Sequence, residues 1–363
     1  MSLKENKPRF GFVTRNYLVL TLTSTLWGIP TSICNTYFSL YVLNGLGGTE
    51  TILGLIIALG NATYVILAII GGHIADLYGR KKLVSLMTLV LGLSQFLVAI
   101  APNWQFLTIA IIVTNVCWIF EPAYWAMLAD SINEQKRGTA FALFSCLNYL
   151  PWAVVPSIGG YLIDIYGILP VMRWTYVGLA VAGIVSGTIR LSILTETISP
   201  PQHGKMSKKY SLKELGKLVK DSFKEHIQTW LWMPHSALAL TASYILWAFQ
   251  YGMVEPYWIV YAEEIIGVTS TQWGIITAAG SAISILSKIL VVGKLLDKFG
   301  RRKVLLATTA SDILTYILFI RCGMFIQVLA LWTAASFIWS FYDPTYSSLE
   351  ADLIPEERRG RVF

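Results

Sequence analysis

Charge is what this chain has little of. Lys, Arg, Asp and Glu together make 13% of its 363 residues, about half the 25% or so of a soluble domain. With 55% hydrophobic residues, a water-soluble globular domain is excluded. Cysteine is also sparse. Cys34, Cys117, Cys146 and Cys322 are scattered without metal-ligand spacing, so they read as small core residues and not as a metal framework. No Gly-x-x-x-x-Gly-Lys-[Ser/Thr] segment is present, which argues against nucleotide hydrolysis. No Ser/His/Asp or metal constellation points to an enzyme, and no cofactor is expected. A cleavable signal peptide is not expected either. Lys4, Lys7, Arg9 and Arg15 precede an apolar stretch too long for a signal h-region, so the first span should remain as a helix.

Long apolar runs are what the chain has in abundance. A helix needs roughly 20 predominantly apolar residues to cross the hydrocarbon core. Ten stretches qualify, at about 17–43, 50–71, 83–101, 104–131, 138–164, 170–190, 236–262, 270–292, 304–321 and 324–352. The expected fold is an all-α polytopic membrane protein. Of 28 Lys and Arg, 25 fall on one side of these spans: the N-terminus through Arg15, turns 80–82 and 136–137, the linker 190–224, turn 294–303 and the tail 358–361. Arg173 and Arg321 flank the other side and Lys288 lies inside a span. Basic loops stay cytoplasmic, so both ends of this chain are expected there, in the plasma membrane. The net charge of +7 is accordingly a topology signal and not a nucleic-acid footprint.

An eleven-residue segment occurs twice. Gly72-His-Ile-Ala-Asp76-Leu-Tyr-Gly79-Arg80-Lys-Lys82 returns as Gly293-Lys-Leu-Leu-Asp297-Lys-Phe-Gly300-Arg301-Arg-Lys303, with five positions identical. An offset of 220 to 222 residues aligns the rest of the two halves. Thr21, Trp27, Tyr37 and Tyr41 fall on Thr241, Trp247, Tyr257 and Tyr261, Gly54 and Gly60 fall on Gly274 and Gly280, and Asp130 and Arg137 fall on Asp352 and Arg359. The first half holds six spans and the second four, so two further helices are expected to be missing after Phe363. The expected domains are a six-helix bundle over 1–190, a basic linker over 191–235 and a four-helix bundle over 236–363. Within the linker, Leu212, Leu215, Leu218 and Val219 share one helical face, with lysines opposite. Residues 205–224 are read either as an amphipathic helix on the anionic leaflet or as a solvated linker helix.

The repeated turn resembles the cytoplasmic signature of the major facilitator superfamily, G-x-x-x-D-[RK]-x-G-R-[RK]-[RK]. The copy at 293–303 fits fully, and the copy at 72–82 departs at Leu77. The resemblance implies two pseudo-symmetric helical bundles and secondary transport by alternating access. It also implies a cytoplasmic gate at Gly72, Asp76, Gly79 and Arg80 and at Gly293, Asp297, Gly300 and Arg301, with Arg137 and Arg359 as additional members. On the residues alone, Asp76 can pair with Arg80 or accept from helix N-terminal N–H groups, while the basic residues of the turn can equally serve topology alone. Pro156-Ser-Ile-Gly159-Gly160 resembles the end of the family's antiporter signature, but Val155 stands where that signature has glycine.

Ionisable residues inside spans are costly unless they face a polar interior, at about 2.5–3.5 kcal/mol each. The deep acids are Glu121, Glu255, Asp312 and Asp343, and Lys288 is the deep base. Glu121 and Asp343 are equivalent in the repeat, as are Asn35 and Glu255, and Glu121, Glu255 and Asp343 each precede a proline. Helical spacing surrounds them with aromatics: Trp118 and Trp125 around Glu121; Trp247, Tyr251 and Trp258 around Glu255; Trp332, Trp339 and Tyr346 around Asp343; Trp27 and Phe38 around Asn35. The family resemblance makes the first, fourth, seventh and tenth helices the lining of a central cavity. Trp and Tyr faces around carboxylates suit an organic cation, and also suit a sugar. Packing and interface anchoring are the alternative for each stripe. Desolvation favours a protonated carboxyl, so one or more of these acids is a candidate proton carrier. Lys288 is expected to bridge to Asp312 or Glu255. The resulting expectation is a monomeric, proton-coupled carrier of a small organic solute, with efflux of organic cations preferred over sugar or metabolite symport. A receptor-like or truncated membrane protein is the alternative from another class.

Overall fold

The computed structural model describes residues 14–133, 136–197 and 233–353; the side chains of 69–70, 72–73, 76–78 and 350–352 lie outside that description. The described residues form helices and connecting turns, with no strand among them. The first half runs α1 (Arg15–Leu40), α2 (Glu50–Tyr78), α3 (Arg80–Ala99), α4 (Trp104–Cys117), α5 (Glu121–Asp130), α6 (Arg137–Tyr149), α7 (Val155–Tyr166) and α8 (Ile168–Ile193). The second runs α9 (His235–Val254), α10 (Trp258–Glu264), α11 (Ser270–Ser287), α12 (Gly293–Phe299), α13 (Arg301–Phe319), α14 (Phe325–Trp339) and α15 (Tyr342–Leu353).

Eight stretches among the described residues are long and apolar enough to cross a membrane. The expected span 138–164 is divided into α6 and α7, with Leu150–Val154 between them. Pro151 and Pro156 each remove a backbone donor there, which explains the interruption. The expected span 304–321 is one uninterrupted helix, α13, with Asp312 near its middle, and it is not among those eight. Large apolar side chains stand on the outside, Leu22, Val65, Leu93, Ile109, Leu246 and Ile313 among them. An outer surface of this kind is stable in lipid, because hydrocarbon needs no polar coat.

The two copies of the repeated turn share one backbone geometry. Gly79 has φ 87° and ψ 140°, and Gly300 has φ 80° and ψ 142°. Only glycine adopts that region without strain, so the repeated glycine is a requirement of the turn. The amphipathic linker expected at 205–224, together with Arg359, lies outside the described residues.

The chain divides into two compact units. One comprises residues 1–31, 56–151 and 173–210; the other comprises 32–55, 152–172 and 211–363. The core of the first gathers Leu20, Val84, Leu91, Met127 and Leu128. There α8 lies directly against α3: a Cβ on Gly183 would sit 2.6 Å from Gly92 Cα, and one on Gly187 2.8 Å from Leu89 N. Gly183 and Gly187 form a small-x-x-x-small pair, which lets two backbones approach where lipid offers no hydrophobic drive for association.

In the second unit, α7 seats on α11. A Cβ on Gly160 would lie 2.1 Å from the Ser270 carbonyl, and one on Gly274 2.4 Å from the Pro156 carbonyl. The Tyr37 hydroxyl lies 2.8 Å from the Pro156 carbonyl and 2.9 Å from that of Ser270. Asp164 accepts the backbone N–H groups of Ser270 (3.1 Å) and Thr271 (2.9 Å). A carboxylate there satisfies orphan donors and meets the positive end of the α11 dipole. Thr269 and Gln272 add a reciprocal capping box.

Candidate functional site

At the turn after α2, Arg80 forms an ion pair with Asp130, the residue that the repeat matches to Asp352. The Arg80 and Lys81 backbone N–H groups donate to the two carboxylate oxygens of Glu196, at 3.2 and 3.1 Å. Glu196 thereby caps α3, and a Cβ on Gly79 would lie 2.7 Å from its Oε2. The carboxylate that Arg80 meets is Asp130; the side chain of Asp76, like Gly72, lies outside the described residues. In the second copy, Arg301 donates to the Ser348 carbonyl at 3.3 Å, and Gly293, Asp297 and Arg137 are exposed. Sequence spacing does not point to Glu196, because it stands beyond α8 and far in sequence from the turn it caps.

The matched acids sit at breaks in their helices. A 3-10 turn, Trp118–Phe120, separates α4 from α5, and Glu121-Pro122 restarts the helix. Another, Glu255–Tyr257, separates α9 from α10. The tenth span breaks after Trp339 and restarts at Tyr342, next to Asp343-Pro344. Proline fits these positions because the first turn of a helix needs no donor from it.

These breaks redirect the expected aromatic stripes. Glu121 accepts the Tyr64 hydroxyl and the Trp125 indole N–H at 3.3 Å, whereas Trp118 stacks on Phe120. Trp247 stacks on Tyr251 (centroids 5.3 Å apart) and on Tyr342 (4.6 Å). Beyond the break at Glu255, Trp258 turns instead to Tyr316, Phe319 and Trp332. The side chains of Glu255, Asn35 and Asp343 are exposed. Trp339 donates its indole N–H to buried Asp312, not to Asp343. Lys288, at the start of a π-helical turn (Lys288–Val292), pairs with Asp343 at 3.5 Å. The bridge expected from Lys288 to Asp312 or Glu255 is therefore replaced by one to Asp343, because the π turn and the break in the tenth span reset both side-chain directions.

The second unit thus holds a face of stacked rings, Tyr244, Trp247, Tyr251, Tyr342 and Tyr346. Asp343 and Lys288 lie on the neighbouring helical turns. Rings of this kind can take a flat or cationic solute, and the exposed carboxylate can compensate its charge.

A two-fold repeated, all-helical integral membrane protein with acids at matched helix breaks is the architecture of a secondary transporter. The chain belongs to the Major Facilitator Superfamily, whose family model matches residues 20–363. It is 26% identical over 311 residues to the multidrug resistance protein MdtG of Dickeya zeae, covering 84% of this chain and 71% of that protein. It is 22% identical over 354 residues to multidrug resistance protein 2 of Bacillus subtilis, covering 97% and 82%. Among solved structures, a POT family transporter matches with a TM-score of 0.74 at 14% identity, over 98% of this chain and 87% of that one. The nucleoside transporter NupG matches with a TM-score of 0.67 at 14% identity, over 96% and 85%. These two likenesses establish the fold.

Proposed function

We propose that this chain exports a lipophilic organic cation in exchange for protons. The observation that carries the proposal is the stacked face of Trp247, Tyr251 and Tyr342 beside exposed Asp343, since aromatic faces and a carboxylate together select a desolvated cation. The resemblance to multidrug resistance proteins of two bacteria supports the same substrate class. In this reading Glu121, Glu255 and Asp343 lie in the cavity with Asn35, and Asp343 is held by Lys288 until a solute cation takes its place.

The remaining features follow the same reading. The repeated turns form the cytoplasmic gate around Asp76 and Arg80, both ends of the chain face the cytoplasm of a plasma membrane, and residues 205–224 lie on the anionic leaflet between bundles 1–190 and 236–363. The carrier acts as a monomer. Reconstitution in vesicles tests the proposal. A pH gradient should drive tetraphenylphosphonium movement, and Asp343→Asn should reduce it at least tenfold without loss of folded protein. Transport of a sugar in place of the cation, or unchanged flux in Asp343→Asn, would overturn it.

A further inference from the structure

The described acids differ in what holds them. Asp130 has Arg80, Asp343 has Lys288, and Asp164 has the N-terminus of α11. Glu121, half-buried, takes a phenol and an indole. Asp312 is alone in being enclosed, with 5% of its surface exposed, while forming no ion pair among the described residues. Its donor is the Trp339 indole, and the Trp247 indole also faces it. The titratable groups facing it are Tyr316 on its own helix and Tyr342 on α15. Along α14 there is no ionisable residue, and α15 presents Asp343, which Lys288 holds.

Trp339 is also the last residue of α14, immediately before the break in the tenth span. Its ring meets Trp332 edge-on at 5.5 Å, and Trp332 in turn meets Trp258 on α10 (5.3 Å) and Trp273 on α11 (5.2 Å). A change at Asp312 therefore reaches the break and two further helices through rings in contact. A charged carboxylate holds an N–H donor about twice as strongly as a neutral acceptor does.

Resting on the proton-exchange reading above, we propose that Asp312 is the positioning residue that binds the coupling proton. A proton from a hydronium ion joins one carboxylate oxygen, leaving water and a neutral carboxyl. The weakened acceptor releases the Trp339 indole, and the break between Trp339 and Tyr342 repacks against the stacked rings on which the solute is held. Loss of the proton restores the charged acceptor and recaptures the indole. Proton binding and the shape of the aromatic face are thereby linked through one hydrogen bond.

The test uses the full chain in detergent at low buffer strength, with tetraphenylphosphonium as the probe. Addition of the cation should release protons from wild type, but at least fivefold fewer from Asp312→Asn. Tryptophan emission should change with pH in wild type, the change should vanish in both Asp312→Asn and Trp339→Phe, and cation-induced proton release should also fall at least fivefold in Trp339→Phe. Equal release from wild type and folded Asp312→Asn would overturn the role of Asp312 while leaving proton exchange intact. No release from wild type would overturn proton exchange itself, and this role with it. If Asp312→Asn does not fold, the Trp339→Phe pair of readouts decides, since retention of the full emission change in that variant overturns the coupling through the indole.

Discussion

Arg190 drives its guanidinium onto Thr23, with Nε donating to Thr23 Oγ1 at 2.9 Å. The side chain leaves the last turn of α8 and runs into the first unit, where the residue is 4% exposed. Its other donors reach Thr88 Oγ1 (2.8 Å) and Ser24 Oγ (3.2 Å), and it lies 5.0 Å from the Tyr124 ring centroid. None of these partners is a carboxylate. A buried cation held by hydroxyls and a ring binds α1, α3, α5 and α8 at one level.

This arrangement predicts unequal costs for its two sides. Thr23 and Thr88 also donate to carbonyls of their own helices, at Val19 and Val84. Arg190→Met therefore leaves no orphaned hydroxyl, and its melting temperature should stay close to wild type. Thr23→Val strands a buried guanidinium N–H and should cost about 1–3 kcal/mol. Thermal unfolding in detergent measures both, and a larger loss in Arg190→Met than in Thr23→Val would contradict the account.

The two turn glycines should respond differently to alanine. Both hold positive φ, so each substitution carries a backbone cost of roughly 1–3 kcal/mol. Gly79→Ala also drives a Cβ to 2.7 Å from Glu196 Oε2, whereas nothing lies within 4 Å of a Cβ on Gly300. Gly79→Ala should be the more destabilising, and Glu196→Ala should recover part of that difference. A double-mutant cycle read by melting temperature checks this, and purely additive losses would refute the contact.

The seat of α7 on α11 predicts a strong position effect. Gly160→Ala and Gly274→Ala press a methyl group into backbone carbonyls at 2.1 and 2.4 Å, while Gly178 has open space around it. The first two should lose several kcal/mol or fail to accumulate, as overpacking does. Gly178→Ala should be neutral or slightly stabilising. Comparable yields and melting temperatures for all three would count against the packing.

Lys288 and Asp343 form a partly exposed pair, at 34% and 73% side-chain exposure. Their pairing should contribute little to stability, so Lys288→Met should melt within about 1 kcal/mol of wild type. On the proposed function it frees Asp343 for solute and should tighten tetraphenylphosphonium binding severalfold, with Asp343→Asn weakening it. Equilibrium binding to purified protein decides the matter, and weaker binding in Lys288→Met would argue against competition for the carboxylate.

Membrane residence, the two-fold repeat and the glycine turns were legible in the sequence, because each depends on local properties. Apolar runs must bury their backbone polar groups in helices, and a backbone of φ 80–87° calls for glycine at Gly79 and Gly300. The matched positions of Glu121, Glu255 and Asp343 were legible for the same reason. Partner choice was not, because it depends on side chains brought together from distant segments. A 3-10 or π turn of a few residues re-aims every side chain beyond it, so Trp258 and Trp339 left the stripes that uniform helical spacing assigned to them. Arg190 counted in sequence as one more basic residue at the edge of a linker. Only the packing of α1, α3 and α5 around α8 supplied the hydroxyls and the ring that hold it inside.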